Sequence, residues 1–303
     1  MPDAVTDQNT ECIVCSGRGP FPQLFANNGC TMVSCPTCGL VFQDPQPTDD
    51  DLAATYYHDE EWTKAMLGPL REKLQERAAE QVRRLRAAGI EPSGTLLDVG
   101  CAAGSFMTAA RAAGWQATGV ELGEATAAAA RERGLDVRTG TLGDVMDELE
   151  GGYSLITFWD VLEHLRDPRR ELALALGLLR PGGVVAATLP NVAGWYPQAT
   201  YRLIARRTGR WEYPELPVHL YDFSPVTLRR LLAGAGFSDI EVRTFATPFW
   251  YYRGLSLSVG ALGGRVRGRA LRAAFELIHL PVYPAARLAH RENSQFVLAR
   301  RLD

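Results

Sequence analysis

The stretch LLDVGCAAGSF, residues 96–106, decides the fold. An apolar run ends in Asp98, a turn containing Gly100 and Gly104 follows, and a helical pattern then begins. A strand that enters a glycine-rich turn and a helix is the first unit of an α/β fold that binds a nucleoside or dinucleotide. Gly100 permits a tight turn, and Gly104 lets the helix pack close to the strand. Alone, this turn is weak evidence, because many unrelated turns share its composition.

The next apolar run, QATGVEL, ends at Glu121 and strengthens the prediction. A carboxylate about 20 residues beyond such a turn accepts hydrogen bonds from both hydroxyls of a ribose. The alternative is a solvated carboxylate at the end of a strand. The turn reads G-C-A-A-G and lacks the third-position glycine of the nicotinamide-cofactor fingerprint, which argues against a nicotinamide oxidoreductase.

Strand-like and helix-like runs alternate through most of the remaining chain. Strands are predicted over 95–99, 116–121, 136–139, 153–159 and 183–189, and helices over 61–88, 104–113, 123–133, 141–149 and 168–179. FSPVTLRRLLAGAGF predicts a helix with Ser224 as N-cap and Pro225 at its first position. DIEVRTF and SQFVLARRL add a sixth and a seventh strand. The pattern predicts an α/β fold: a seven-stranded, doubly wound, Rossmann-like sheet.

Four of the six cysteines form two C-x-x-C pairs: Cys12 with Cys15, and Cys35 with Cys38. Two such turns brought together place four thiolates around one point, which suits a structural zinc ion with four cysteine ligands. The alternative is two pairs of reduced surface thiols. Cys30 is close enough to substitute for a ligand but has no paired partner.

Proline and acidic residues at 43–51 indicate a domain boundary. We therefore predict a zinc ribbon at 1–45, a linker with helices at 46–92 and the main domain at 93–303. We also predict that residues 247–293 form a helical insertion before the last strand. Three alternatives fit this insertion: a lid over a substrate, a segment resting on a membrane surface, or a packed helical hairpin with solvated arginines.

Composition limits the partners. The 303 residues carry a formal net charge of −3, and residues 1–50 contain a single basic residue, Arg18, so a nucleic acid is not the expected partner. No uncharged apolar run reaches the 18 residues typical of a membrane-spanning helix. The start, MPDAVTDQNTEC, does not resemble a signal peptide, which predicts a reducing, cytoplasmic location.

Six motifs stand in a characteristic order over about residues 90–245: LLDVGCAAGSF, GVEL, FWDVLEHLRDP, LLRPGG, TLPN and HLYDFSPVTLRRLLAGAGF. Together they resemble the class I S-adenosylmethionine-dependent methyltransferases, in the branch of ubiquinone-pathway O-methyltransferases and natural-product and sugar methyltransferases. A zinc ribbon ahead of this domain is an arrangement found among bacterial members. The resemblance implies methyl transfer to a small-molecule acceptor, expected at a hydroxyl of a sugar, polyketide, aromatic or lipid-linked intermediate.

The resemblance also implies which residues bind the cofactor. Asp98 would orient the turn and the methionine end, and the backbone of 100–104 would approach the methionine and the ribose. Glu121 would hold the ribose diol, and Leu122 would press on the adenine. The full implied set is Asp98, Gly100, Cys101, Ala102, Gly104, Glu121, Leu122, Thr141, Leu142, Trp159 and Asp160.

The resemblance assigns further roles around the adenine, the sulfonium and the turn. Thr141 and Leu142 would border the second edge of the adenine, whereas Phe158, Trp159 and Asp160 would form the floor beneath the sulfonium. Cys101 is read as a small packing residue and not as a nucleophile.

Four candidate catalytic residues follow the fourth strand or precede the capped helix: Asp160, Glu163, His164 and His219. In one hypothesis, His164 or His219 removes the acceptor's proton. In a second, the four residues hold a divalent ion such as Mg²⁺, which lowers the pKa of the acceptor hydroxyl. Some relatives carry Glu-x-x-Glu-His at this place, and here Asp160 replaces the first glutamate. In a third, Glu163 and His164 have structural roles only.

An aromatic-rich rim is expected to contact the acceptor, formed by Asn191, Trp195, Tyr196, Trp211, Tyr213 and Tyr221. Tyr56 and Tyr57 are expected to close over the cofactor. The alternative to an enzyme is a catalytically silent protein that binds S-adenosylmethionine or acts as a scaffold.

Overall fold

The computed structural model describes residues 10–27, 29–48, 50–52, 64, 66–208, 211, 213, 215–246 and 282–302. Tyr56, Tyr57 and most of the predicted insertion lie outside these ranges. In the part that is described, no helix has the length and apolar character needed to cross a bilayer.

The main sheet has seven strands, as predicted. They are β4 (Thr95–Val99), β5 (Gln116–Glu121), β6 (Asp136–Thr139), β7 (Tyr153–Trp159), β8 (Leu179–Pro190), β10 (Ser238–Phe245) and β11 (Ser294–Arg300). Their order in the sheet is β10-β11-β8-β7-β4-β5-β6. The five strands from β8 to β6 are parallel, and β11 and β10 are antiparallel additions.

The main helices connect or cover these strands. They are α1 (Arg71–Ala87), α2 (Ser105–Ala113), α3 (Glu124–Glu132), α4 (Pro168–Leu178), α5 (Trp195–Thr200), α6 (Pro225–Gly234) and α7 (Val282–Leu288). Helix α6 begins as predicted: Ser224 and Thr227 form a reciprocal capping box, and Pro225 is the first helical residue.

The helix predicted over 141–149 is wrong. Thr141 N–H donates to the Asp144 carboxylate at 2.9 Å, so the segment begins with a turn closed by a side chain. A single 3₁₀ turn over Met146–Glu148 follows. The apolar spacing that suggested a helix instead buries Leu142 and Val145 against the main core.

A second sheet joins the cysteine-bearing segment to the main domain. It has the order β1-β2-β3-β9, with β1 at Gln23–Asn27, β2 at Cys30–Ser34, β3 at Val41–Gln43 and β9 at Tyr221–Asp222. Val41 pairs with Asp222 and Phe42 with Tyr221. The ribbon thus takes its fourth strand from the region just before α6, and both parts share one hydrophobic core.

Helix α1 packs across the main sheet through Ala78, Val82 and Leu85. The Arg84 guanidinium lies 3.7 Å from the centre of the Phe245 ring on β10, a cation–π contact. This packing brings the polar edge of α1 over the carboxyl ends of the parallel strands, where ligands bind in such sheets.

Candidate active site

The turn after β4 requires glycine at two positions. Gly100 and Gly104 have φ of +70° and +74°, where side chains are strained. A Cβ on Gly100 would lie 2.6 Å from Val161 Cγ2, and one on Gly104 would lie 2.1 Å from Leu135 Cδ1. The turn is therefore packed closely between β4, the segment after β7 and the end of α3.

Glu121 ties the end of β5 to this turn. Its Oε2 accepts the backbone N–H of Ala102 at 2.9 Å, and its Oε1 accepts that of Gly123 at 2.9 Å. Burial raises the pKa of Glu121, although these N–H groups oppose the shift. Each carboxylate oxygen keeps a second lone pair, so the carboxylate can also accept two ribose hydroxyls.

Asp98 is buried one strand away, with 1% of its surface exposed. Thr157 Oγ1 donates to Asp98 Oδ1 at 2.7 Å. Burial, with a smaller contribution from the charge of Glu121, raises the pKa of Asp98 to about 7. A cationic ligand at the turn would stabilise the ionised carboxylate.

These features fit an adenosyl sulfonium. A turn with only small side chains, a carboxylate placed for a diol and a buried acid beside the turn suit such a ligand. Cys101 is buried, and a Cβ on Gly119 would lie 2.6 Å from its Sγ. Burial raises the pKa of the Cys101 thiol well above its usual value, so the thiol is protonated and unreactive.

The other predicted cofactor-site residues differ in how far they are exposed. Leu122 is 40% exposed next to Glu121, as an adenine contact requires, whereas Leu142 is 1% exposed and faces the core. Phe158 is also fully buried, so its side chain cannot form the floor of an open site. The Trp159 ring packs edge-on against Phe106, at 4.9 Å between ring centres.

Asp160 begins the segment after β7 in a left-handed conformation, with φ of +54°. It forms an ion pair with Arg77 of α1, and Thr188 Oγ1 donates to its Oδ1 at 3.0 Å. Sequence reasoning missed Arg77, because a single arginine on an amphipathic helix gives no sign of a partner 83 residues away.

Glu163, His164 and His219 converge beside this segment. Their ligand atoms all lie within 4.8 Å of one another. The carboxylate of Glu163 is buried, and neither oxygen has a hydrogen-bond partner among the residues that the structure describes. Burial and the charge of Asp160 raise its pKa well above the usual value. Three of the four predicted catalytic residues are therefore brought together, and Asp160 is directed to Arg77.

The two histidines contact each other edge to face, with 4.7 Å between ring centres. His164 Nδ1 lies 2.9 Å from the carbonyl oxygen of Val218, so Nδ1 carries a hydrogen and Nε2 carries the lone pair. Burial lowers the pKa of both rings, and the lowering is larger for His219. Both imidazoles are therefore neutral near pH 7.

Two further carboxyl groups near the histidines, those of Glu215 and Asp222, were not predicted. Glu215 Oε2 lies 4.0 Å from His219 Nε2, and burial raises the pKa of Glu215 to about 7. Burial also raises the pKa of Asp222 on β9 to about 7. The sequence carries no local signal for the surroundings of either residue.

The expected aromatic rim is only partly present. Trp211 and Tyr221 are each 2% exposed, and Trp211 packs against Phe25 of the ribbon at 5.4 Å between ring centres. Tyr221 donates its hydroxyl hydrogen to the carbonyl of Arg166 at 2.8 Å. These two rings therefore support the ribbon and do not line a rim.

The other predicted rim residues differ in exposure. Asn191 is also buried and donates from Nδ2 to the carbonyl of Glu292 at 2.7 Å. Trp195, Tyr196 and Tyr213 are partly exposed and remain predicted acceptor contacts.

The four paired cysteines come together as predicted, with all Sγ atoms within 4.8 Å. Cys12 and Cys38 are 3.5 Å apart at sulfur, as are Cys15 and Cys35. Four Zn–S bonds of about 2.3 Å in a tetrahedron place sulfurs about 3.8 Å apart, so this donor set fits zinc. Burial opposes ionisation of Cys35, yet backbone N–H groups of Cys38 and Thr37 lower its pKa to about 7.

Comparisons with known proteins show the family to which the chain belongs. A family model described as a methyltransferase domain matches residues 70–242. Ubiquinone biosynthesis O-methyltransferase of Pseudomonas paraeruginosa is 36% identical over 103 residues, which cover 32% of this chain and 44% of that protein. The protein of the same name from Caulobacter vibrioides is 31% identical over 147 residues, covering 46% and 58%. The chain thus spans about half the length of these curated relatives.

Solved structures share the fold at low identity. Phosphoethanolamine N-methyltransferase 2 of Haemonchus contortus, in complex with S-adenosylhomocysteine, has a TM-score of 0.54 at 17% identity and covers 87% of this chain and 63% of that one. A [4+2]-cyclase has a TM-score of 0.52 at 19% identity and covers 85% and 98%. At these identities the likeness concerns the fold alone.

Proposed function

Since the chain belongs to the class I S-adenosylmethionine-dependent methyltransferases, we propose that it transfers a methyl group to a hydroxyl of a small molecule. The acceptor classes that suit it are sugars, polyketides, aromatics and lipid-linked intermediates. The observation that carries the proposal is the convergence of Glu163, His164 and His219. Val161, two residues before Glu163, contacts the glycine turn, so the cluster lies beside the cofactor site.

The cofactor-binding half consists of the turn, Asp98 and Glu121. When bound, S-adenosylmethionine supplies a methyl group on a sulfonium that needs no further activation. The protein then aligns the acceptor and excludes water. Glu121 is held by the Ala102 and Gly123 N–H groups, so its carboxylate is oriented before the ribose hydroxyls arrive.

His164 is the proposed general base. Its Nδ1–H donates to the carbonyl of Val218, so the lone pair of the neutral ring is on Nε2, the atom that would take the acceptor's proton. Lowering of its pKa by burial keeps the ring neutral, which is the form a base requires. His219 packs against the ring and limits its rotation.

A second candidate is a divalent ion held by Glu163, His164 and His219. The buried carboxylate of Glu163 has no hydrogen-bond partner in the described part of the chain, and this observation favours a cation. Asp160 is not part of the donor set, because it pairs with Arg77. Two imidazoles and one carboxylate suit a transition ion such as Mn²⁺ or Zn²⁺ better than Mg²⁺, which prefers oxygen ligands. Such an ion would lower the pKa of the acceptor hydroxyl.

A structural zinc in the ribbon is the third part of the proposal. Cys12, Cys15, Cys35 and Cys38 supply four sulfurs in a closed arrangement. A site with four protein ligands has no open position for a substrate, so the ion would stabilise the fold and take no part in the chemistry.

A substrate screen by mass spectrometry tests the function, with purified chain, S-adenosylmethionine and acceptors from the four classes. The expected result is a product heavier by one methylene, lost in His164→Asn and retained in His290→Asn, whose ring is exposed. Activity lost after chelation and restored by Mn²⁺, with the ribbon metal retained, would support the ion instead. Binding of S-adenosylmethionine without turnover on any acceptor would instead support a catalytically silent binding protein. The [4+2]-cyclase shows that the fold is not confined to methyltransferases.

A further inference from the structure

Gln43 links the cysteine ribbon to the candidate catalytic histidines. It is the last residue of β3 and is 1% exposed. Its side-chain Nε2 donates to the carbonyls of Pro217 and His219, each at 2.7 Å. Its backbone N–H donates to the carbonyl of Leu220 at 2.9 Å. One ribbon residue therefore makes three hydrogen bonds to a segment of four residues.

The opposite side of that segment is bound to the turn that carries the catalytic candidates. The Val218 carbonyl accepts from His164 Nδ1 at 2.9 Å. The N–H groups of Leu220 and Tyr221 donate to the Glu163 carbonyl at 2.8 Å and 3.2 Å. Residues 217–220, which we name the histidine strap, thus lie between the ribbon and the Glu163–His164 turn.

The position of the strap decides the protonation pattern of His164. Val218 lies between the two residues whose carbonyls Gln43 binds, so the direction of its own carbonyl depends on those bonds. If that carbonyl rotates, the bond from His164 Nδ1–H to Val218 is lost and no longer favours the Nδ1–H tautomer. His219 is itself a strap residue, so its ring moves with the same segment.

We propose that Gln43 is a positioning residue of the active site, which acts through the strap to fix the Nδ1–H tautomer of His164 and the packing of His219. The proposal rests on the proposed role of His164 in methyl transfer. This role would give the ribbon a function beyond stability. Gln43 is on β3, and β3 is held in register by β2, the strand that lies between the two C-x-x-C turns. The cofactor half of the site, at Asp98 and Glu121, makes no bond to Gln43 among the described contacts.

Gln43→Met tests this, because methionine keeps the volume of the side chain and removes both donors. Gln46→Met is the matched control: Gln46 follows on the same segment and donates to the Tyr221 hydroxyl, not to the strap. The readout is the imidazole ¹⁵N spectrum of the full-length, histidine-labelled protein, with His164 assigned through His164→Asn. This readout is independent of any acceptor, so it stands even if no methyl transfer is found.

We expect a single Nδ1–H form of His164 in the wild type and in Gln46→Met, and a mixture of both tautomers in Gln43→Met. Affinity for S-adenosylmethionine should stay within about twofold in both variants. With an acceptor in hand, kcat of Gln43→Met should fall by about tenfold to a hundredfold, as expected when a catalytic group is misplaced by about 1 Å. An unchanged His164 spectrum in Gln43→Met, equal changes in both variants, or loss of cofactor binding in Gln43→Met would overturn the proposal.

Discussion

Arg77 of helix α1 and Asp160 at the carboxyl end of β7 form an ion pair that joins the helix to the edge of the sheet. Their side chains are 24% and 28% exposed, so the pair is largely shielded from water. Removing Arg77 leaves the carboxylate of Asp160 without its cation near the buried Glu163. We expect Arg77→Ala to lower the free energy of unfolding by about 1–3 kcal/mol, measured by urea denaturation.

Arg83→Ala on the same helix is the control. Arg83 pairs with Glu80 at 2.7 Å, with side chains 66% and 42% exposed, and such pairs contribute less than about 1 kcal/mol. Equal losses of unfolding free energy in the two variants would show that the Arg77–Asp160 pair stabilises the fold no more than an exposed ion pair does.

Glu121→Gln should weaken binding of S-adenosylhomocysteine at least thirtyfold, equivalent to about 2 kcal/mol. The substitution removes the charge that strengthens hydrogen bonds from the ribose hydroxyls. Isothermal titration calorimetry measures the effect. Glu124→Gln, three residues further on, changes an exposed carboxylate that pairs with Arg131 and should leave affinity unchanged. Similar weakening in both variants would contradict a ribose contact at Glu121.

The affinity for S-adenosylmethionine should rise with pH. Burial raises the pKa of Asp98 to about 7, so the group is mostly protonated at pH 6 and mostly ionised at pH 8. A cationic ligand binds the ionised form better, so affinity should increase about tenfold across this range and level off above it. Thr157→Val removes a hydrogen bond that lowers the pKa of Asp98, and it should move the midpoint to higher pH. A flat profile in the wild type would refute this.

Metal analysis should find about one zinc ion per chain, bound by the four paired cysteines. Cys35→Ser should lose the ion and lower the melting temperature of the whole chain, because the ribbon and the main domain share one core. Cys30 lies on β2 outside the cluster, so Cys30→Ser should keep the ion. The same zinc content in both variants would exclude the four-cysteine site.

The strands of the main sheet followed from the sequence, because buried parallel strands are continuous apolar runs bounded by turns. The glycine turn could also be predicted, since a backbone with positive φ selects glycine at that position in the sequence. Glu121 could be placed because it ends the next apolar run. The segment at 141–149 misled because apolar spacing alone does not show that Asp144 caps a turn.

Contacts between distant segments could not be read in this way. The pairing of Phe42 with Tyr221 joins residues that no periodicity connects, and it determines that Tyr221 is buried. The Arg77–Asp160 pair and the convergence of His164 with His219 likewise depend on how the elements pack. Sequence reasoning could name the histidines as candidates but could not bring Gln43 to them.

Strand β9 lies within the region that the family model matches, but it pairs with a strand that lies before that region. The family model begins at residue 70, yet strand β3, which completes the pairing of β9, lies before it. A fragment cut at that point would retain every signature motif and expose the unpaired backbone of Tyr221 and Asp222. During synthesis, β3 cannot pair with β9 until residue 222 has been made, so the sheet of the ribbon is completed only after five of the seven strands of the main sheet have been synthesised.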